Sequence, residues 1–191
     1  MKRKTFIHRL TLGTGVLIVA PSLSLMHGCE YRPKLRTSLS ENDISLLDEI
    51  GETIIPTTAD SPGAKASEIG TYMLLMYQDC LPTDEQQIFL EGLNDLDARA
   101  VQTFSCSFEA AKPKEKLELL QTLQTEAEAY YLRMEGEEKI PPHYFQIMKD
   151  LTLSGYFTSE IGMTQAREYL PLPGKFQACI PYNNGTKVWA T

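Results

Sequence analysis

Residues 83–104 read TDEQQIFLEGLNDLDARAVQTF, and this segment indicates the fold class. Its apolar side chains recur every three or four positions, which is the spacing of one face of an α-helix: Phe89, Leu93, Leu96, Ala100 and Phe104. Thr83 and Gln86 form a helix-start signal. One long helix with a single apolar face needs other helices to cover that face, so the segment predicts a helical bundle.

The flanking segments predict five more helices, separated by loops that contain Pro and Gly. No segment alternates apolar and polar residues as a half-buried strand would. The tail from Leu170 carries three Pro and two Gly, which predicts an extended strap over the bundle. We therefore expect an all-α, single bundle-like domain of about six helices over residues 40–191. The flanking helices are expected at residues 40–54, 69–79, 113–131, 143–156 and 159–169.

The first 28 residues have the pattern of a signal peptide. Met1–Arg9 is cationic, and Leu10–Met26 is apolar but diluted by Gly, Thr, Ser and Pro. A segment of roughly 17 weakly apolar residues is marginal for spanning a bilayer but suits a secretory leader. We expect residues 1–28 to be removed, and residues 29–39 to form a short polar tether.

The end of this leader resembles the lipobox of bacterial lipoproteins. Residues 25–29 read LMHGC, which places a small residue directly before a cysteine. In a lipoprotein the thiol of Cys29 would be acylated and would anchor the mature chain to the membrane. Ordinary cleavage nearby, which would leave Cys29 as a free thiol, is the alternative.

The start of the leader resembles a twin-arginine export signal, which directs folded cargo. Arg3, Lys4 and Phe6 occupy the positions of its pattern, with Lys4 in place of the second arginine. General secretion of an unfolded chain accounts for the same residues, so both routes remain open.

Charge and histidine content limit the possible functions. The 191-residue chain has 18 basic and 25 acidic residues, and an acidic chain lacks the clustered Lys and Arg that a nucleic-acid groove needs. Without the leader, 14 basic and 25 acidic residues remain, a net charge near −11, and His143 is the one histidine left. One imidazole excludes a multi-histidine metal centre within this chain.

The sequence contains few candidate catalytic groups. It has no Cys-x-x-Cys-His, Gly-x-Gly-x-x-Gly or Gly-x-Ser-x-Gly motif. A stand-alone enzyme would have to use carboxylates such as Glu52, Asp60 or Glu160 as acid and base. A helix-start position explains His143. Glu91, Asp95 and Asp97 are expected to form a solvated face of the long helix, and a buried cap or an interface contact is the alternative for Asp97.

Three thiols follow Cys29. Outside the cytoplasm a disulfide can persist, and a bridge between Cys80 and Cys179 would fix the tail to the bundle. Closing a loop of about 100 residues could stabilise the fold by up to ~4–5 kcal/mol on the chain-entropy model. Cys106 would then remain unpaired.

Residues 153–165, LSGYFTSEIGMTQ, concentrate small polar residues and two aromatics between helices. One interpretation is a helix–helix corner in which Gly155 permits close approach and Thr158 or Ser159 caps the next helix. The other is an anchor for a partner protein, because aromatic side chains dominate many interfaces. The interface residues would then be Tyr156, Phe157, Thr158, Ser159, Glu160 and Met163.

Several motifs, taken together, resemble the gluconate 2-dehydrogenase subunit 3 family. They occur in order between about Leu46 and Pro181: ETIIPTTADSPGA at 52–64, DC at 79–80, GLNDLD at 92–97, GYFTSEIGMTQ at 155–165, Tyr169, and PGKFQAC at 173–179. The resemblance implies a small, non-catalytic subunit, without a cofactor of its own, of a membrane-associated dehydrogenase.

The same resemblance implies the partners. A flavoprotein of the glucose-methanol-choline type would oxidise a sugar, sugar acid or glycoside with FAD, and a c-type cytochrome or another carrier would take the electrons. The small subunit would supply the export leader for the folded pair, which places this chain in the periplasm as a membrane-anchored lipoprotein. A stand-alone lipid-anchored scaffold without a redox partner is the alternative.

Overall fold

The computed structural model describes residues 33, 35–172, 174, 179, 181 and 183–190. The predicted leader lies outside the described residues, as do the lipid-anchor candidate Cys29 and the export-signal residues Arg3, Lys4 and Phe6. None of the helices in the described part is long and apolar enough to cross a membrane.

The described chain is mostly helical, which confirms the all-α prediction. The α-helices are α1 (Ile44–Ile54), α2 (Ile69–Asp79), α3 (Thr83–Phe104), α4 (Pro113–Arg133) and α5 (Tyr144–Thr158). Short 3₁₀ turns precede α1 and α2, at Glu41–Asp43 and Ala64–Ser67, and a π-helical turn, Gly162–Ala166, follows α5. The chain then forms β1 (Glu168–Tyr169), which pairs in parallel with β2 (Trp189–Ala190).

The apolar face of α3 lies in the core, as its spacing predicts. Phe89, Leu93, Leu96 and Ala100 are fully buried, while Phe104 is only partly covered. Helix α5 packs against both α3 and α2, and α1 contacts α2, α4 and α5. These contacts bring the helices together around one core.

The start of α3 differs in detail from the prediction. Pro82, and not Thr83, is the residue that precedes the first helical turn, and its carbonyl accepts the Gln86 N–H at 2.8 Å. The Gln86 side chain donates to the Leu81 carbonyl at 3.0 Å. Thr83 therefore stands inside the helix, where its hydroxyl does not cap it.

The predicted sixth helix over 159–169 is wrong in its second half. Ser159 does begin a turn, since its hydroxyl accepts the Gly162 N–H at 3.0 Å. The turn is π-helical, however, and Gly162 lies so close to the Tyr156 carbonyl that a side chain there would overlap it. After Ala166 the backbone becomes extended and forms β1.

The tail is not only an extended strap. The Glu168 N–H donates to the Val188 carbonyl at 3.0 Å, and the Leu170 N–H donates to the Ala190 carbonyl at 2.9 Å. Ala190 is buried, so the described end of the tail is held against the domain. The sequence prediction of no strands is corrected here, because two-residue strands are too short to show an alternating pattern.

The predicted tether of residues 29–39 is also shorter than expected. The side chains of Arg36 and Leu39 are both buried. Leu39 belongs to the hydrophobic core, and Arg36 is held by carboxylates that lie farther along the chain. The folded domain therefore begins before residue 40.

Candidate functional site

The loop between α1 and α2 is organised by one carboxylate. Glu52 Oε1 accepts hydrogen bonds from the Thr57 N–H at 2.9 Å and the Thr57 hydroxyl at 2.8 Å, and Oε2 accepts one from the Lys65 N–H at 3.0 Å. Gly63 lies so close to this carboxylate that a side chain there would overlap it. Glu52, a candidate acid–base residue, thus holds the loop in shape.

Tyr156 joins this loop to the segment that follows α5. Its hydroxyl donates to the Pro62 carbonyl at 2.5 Å, and only 1% of the residue is exposed. The prediction that Tyr156 lies at a partner interface is corrected, because its ring is part of the core. Gly155 permits the approach of α5 to α2, as predicted, since a side chain there would overlap Tyr72.

The tail joins the same end of the domain. The Lys187 ammonium donates to the Gln165 carbonyl and, at 3.4 Å, to the Asp60 carbonyl. The Arg167 guanidinium lies 4.4 Å from the centre of the Phe157 ring. The 56–63 loop, the segment after α5 and the β1–β2 pair therefore meet at one end of the domain.

Large apolar side chains are exposed at this end. They are Tyr169 at 48%, Leu172 at 84%, Val188 at 69% and Trp189 at 47% exposed. We call these four residues the corner surface. The other large apolar side chains that are exposed in the described part lie singly, on α2, on α4 and before α1: Leu35, Leu75, Leu117 and Leu132. The four corner-surface residues lie in or beside β1 and β2, and exposed apolar side chains so near one another along paired strands are typical of protein–protein contact sites.

The remaining predicted interface residues lie beside this surface. Thr158 and Glu160 are exposed, while Phe157, Ser159 and Met163 are partly buried. Ser159 also serves the turn, since its hydroxyl donates to the Tyr156 carbonyl at 2.7 Å. The contact role of Phe157, Thr158, Ser159, Glu160 and Met163 stays a prediction, and Ser159 has a structural role in the turn as well.

Sequence reasoning missed most of the corner surface. Leu172, Val188 and Trp189 lie in a tail predicted only as a strap, and the only sequence signal at Tyr169 is its place in the family resemblance. The available signal was the single Trp of the chain, Trp189, in a segment otherwise rich in Asn, Gly and Lys. A large aromatic residue in such a segment favours a contact role.

A second set of residues is polar and buried. It fixes the start of the folded chain to α3. Arg36 Nε lies 2.9 Å from Asp43 Oδ1, and its Nη1 lies 2.9 Å from Asp97 Oδ2. The Asn94 side-chain amide exchanges two hydrogen bonds with the Arg36 backbone, at 2.8 and 2.9 Å. Asp97 also accepts the Phe108 N–H at 3.1 Å. We call these residues the Arg36 junction.

This junction accounts for the GLNDLD motif at 92–97. Asn94 and Asp97 bind Arg36, and Gly92 lies so close to Tyr144 that a side chain there would overlap its ring. The expectation of a solvated face is wrong for Asp97, which is 2% exposed. The alternative of a buried cap describes it, because Asp97 caps the loop at Phe108.

A second polar group joins α3, α4 and α5. Asp95 accepts the Tyr144 hydroxyl at 2.6 Å and the Arg99 Nε–H at 2.7 Å, and Arg99 Nη1 lies 2.7 Å from Glu126. Burial, and then the bond to Asp95, raise the pKa of the Tyr144 hydroxyl. Each group has a partner within the domain, so this cluster is a structural link between helices.

His143 begins α5, as predicted. Its Nδ1 accepts the Phe145 N–H at 3.2 Å, and burial lowers the pKa of the imidazole from its ordinary value of 6.5. In the described part of the chain, no group of three or more His, Cys, Asp or Glu residues is arranged to hold a metal ion.

The structure does not contain the predicted bridge between Cys80 and Cys179. Both are free thiols with exposed positions, and Cys106 is a free thiol that is partly covered. Cys80 lies directly after α2, where its backbone N–H donates to the Met76 carbonyl. The pairing stays a prediction, which non-reducing peptide mapping of the purified protein would test.

Comparison with known families supports the motif analysis. The family model described as gluconate 2-dehydrogenase subunit 3 matches residues 41–174. The match covers all five α-helices, the π-helical turn and β1, while β2 lies beyond it. No curated protein and no solved structure matches this chain.

Proposed function

The chain belongs to the gluconate 2-dehydrogenase subunit 3 family, and from this premise we propose that it is the non-catalytic small subunit of a periplasmic dehydrogenase complex. The partner is an FAD-containing subunit of the glucose-methanol-choline type, which oxidises a sugar, a sugar acid or a glycoside. This chain carries no cofactor of its own, and the electrons leave through a c-type cytochrome subunit or another carrier.

One observation carries the proposal. The segments that carry the family motifs at 52–64 and 155–165 meet at one end of the domain, beside the corner surface. The carboxylates that a stand-alone enzyme would need do not converge there as a pair, because Glu52 is committed to the loop backbone. Exposed apolar side chains beside an ordered loop suit the docking of a protein.

The proposal includes export and anchoring. The leader with Arg3, Lys4 and Phe6 escorts the folded flavoprotein through the inner membrane, and acylated Cys29 then holds the complex at the membrane surface. The Arg36 junction begins seven residues after Cys29. Seven extended residues span at most about 25 Å, so the domain would sit close to the bilayer.

Co-expression of the full-length chain with the flavoprotein subunit tests the docking role. Affinity purification of the small subunit from detergent-solubilised membranes should yield a yellow complex that oxidises the sugar substrate. Sugar oxidation by the purified small subunit without flavin would overturn the proposal, as would recovery of the small subunit without any flavoprotein.

Replacement of Arg3 and Lys4 by Gln tests the escort role. Loss of the paired charges should leave both subunits in the cytoplasm, because the leader would no longer be recognised. The measurement is flavoprotein activity in periplasmic and cytoplasmic fractions, with Lys2→Gln as the matched control. Unchanged periplasmic activity of the flavoprotein would contradict the escort role and leave the docking role in place.

A further inference from the structure

The β1–β2 pair has an open edge. Backbone groups of successive residues in a strand point to opposite sides, and those of Glu168, Leu170, Val188 and Ala190 point between the two strands. The N–H and C=O of Trp189 therefore point away from β1, along the outer edge of β2. In the described part of the chain the sheet has two strands only, so no third strand covers this edge.

A sheet of two short strands is marginally stable in water, and an open edge is a template for another strand. The two edges differ, because β1 also lies against the π-helical turn. The outer edge of β2 is thus the accessible position for an added strand.

Side chains beside this edge favour an apolar contact. Ala190 is 3% exposed and faces the domain, while Trp189, its neighbour on the strand, takes the opposite face and is half-exposed. Val188, on the same face as Ala190, is exposed at the start of the strand. A strand that pairs with β2 would place alternate side chains next to the Trp189 indole, and buried aromatic anchors carry much of the binding energy of interfaces.

Positive charges just before β1 and β2 favour contact with an acidic side chain. Arg167 and Lys187 line an open depression together with Thr164, Thr186 and Glu168. Within the described residues, neither cation lies within 4.0 Å of a carboxylate; Arg167 contacts the Phe157 ring and Lys187 donates to backbone carbonyls. In a chain of net charge −7 these cations form a local site for an anionic side chain.

We propose that an extended segment of the partner dehydrogenase subunit adds as a third strand to the outer edge of β2. Its backbone pairs with the N–H and C=O of Trp189, one apolar side chain packs on the indole, and one carboxylate binds between Arg167 and Lys187. This inference rests on the proposed function, whose docking surface it specifies. It concerns a strand that lies outside the residues shared with the family.

Hydrogen exchange, resolved to single amides, tests the added strand in the complex of the full-length chain with the flavoprotein subunit. The Trp189 amide should exchange at least about tenfold more slowly in the complex than in the free small subunit. The Ala190 amide, which already faces β1, should change much less. Equal exchange at Trp189 in the free and bound chain would overturn the inference.

Two variants test the side-chain contacts. Trp189→Ala should weaken the complex by about 30-fold, as for an aromatic anchor, and Lys187→Glu by at least about tenfold. Leu132→Ala, which removes an exposed apolar side chain on α4, should leave the affinity unchanged. Circular dichroism should show the same helix content in all three variants.

The outcomes separate the two levels of the proposal. If the wild-type chain captures the flavoprotein and both Trp189→Ala and Lys187→Glu bind as tightly as Leu132→Ala, the added strand is wrong and the docking role stands. If the wild-type chain fails to capture the flavoprotein, the proposed function itself falls. Selective loss of binding in the two variants, with protection at Trp189, supports the added strand.

Discussion

The Arg36 junction and the corner surface differ in the kind of side chain that each uses. At the junction, charged groups are buried and paired: Arg36, Asp43 and Asp97 are each at most 9% exposed. At the corner surface, Tyr169 and Trp189 are apolar groups that remain in contact with water. The junction contains residues of the 92–97 family motif, whereas Val188 and Trp189 of the corner surface lie beyond the residues that match the family.

The difference separates residues that serve folding from those that we propose for binding. A buried charge is tolerated only where it is paired and hydrogen-bonded, so the junction is complete within this chain. When a partner covers a group of exposed apolar side chains, the free energy falls because apolar surface is removed from water. The first region is therefore expected to control the stability of the domain, and the second its affinity for the partner.

The largest expected effect on stability is that of Asp97→Asn. The change leaves the buried Arg36 guanidinium with one of its two carboxylates, so the free energy of unfolding should fall by about 3 kcal/mol. Urea denaturation measures this, with Glu91→Gln on the exposed side of α3 as control, for which a change within about 0.5 kcal/mol is expected. A loss below about 1 kcal/mol would show that the junction does not control stability.

Gly162→Ala should have the next largest effect and tests whether the corner surface depends on packing beneath it. A methyl group there would overlap the Tyr156 carbonyl, so the π-helical turn must shift, at a cost of about 1–3 kcal/mol. The shift should also weaken flavoprotein binding in a pull-down. Thr122→Ala, at an exposed position on α4, is the control and should change neither quantity. Unaltered binding by Gly162→Ala would mean that the turn does not position the surface.

Acidification should have a smaller effect, through His143. Because burial lowers the pKa of the folded imidazole below 6.5, the unfolded chain binds the proton first, and stability should fall as the pH drops below about 6.5. The protonated Nδ1 can no longer accept the Phe145 N–H, and the loss should stay under about 1 kcal/mol.

Urea denaturation at pH 7 and pH 5.5 measures the effect of His143. The matched variant is His143→Asn, which keeps a capping side chain but does not titrate, so its stability should depend less on pH over this range. Identical pH dependence in the two proteins would assign the change to carboxylates elsewhere.

Leu172→Ser should have the smallest effect on stability and so sharpens the contrast with the junction. The side chain is 84% exposed, so the free energy of unfolding should change by less than about 0.5 kcal/mol. Binding to the proposed flavoprotein partner, measured by titration, should nevertheless weaken several-fold. Leu132→Ser is the control for general loss of surface hydrophobicity, and equal binding by both variants would remove Leu172 from the interface.

Helices were the most predictable feature of this chain, because the cause of their pattern is local. The three- and four-residue spacing of Phe89, Leu93 and Leu96 follows from the geometry of one helix, and those residues are buried as expected. The loop at 56–63 was predictable from its proline and glycine residues, because they also act locally, on the backbone of their own turn.

Features that depend on residues far apart in the chain were not predictable. Arg36 lies 7 residues from Asp43 and 61 residues from Asp97, and nothing in its neighbourhood marks it as buried. The two strands contain two residues each, so the pairing of Glu168 with Trp189 leaves no pattern in either segment. The residues next to Tyr156 in the sequence do not indicate whether its ring faces the core or a partner.

The amino-acid sequence was sufficient to determine the helical class, the order of the helices and the family, because each rests on local spacing or on motifs in order. The three-dimensional packing was needed to determine which motif residues are buried and which face solvent. Burial depends on how several helices pack together. It distinguishes the buried Arg36 junction from the exposed corner surface, a distinction that the sequence does not make.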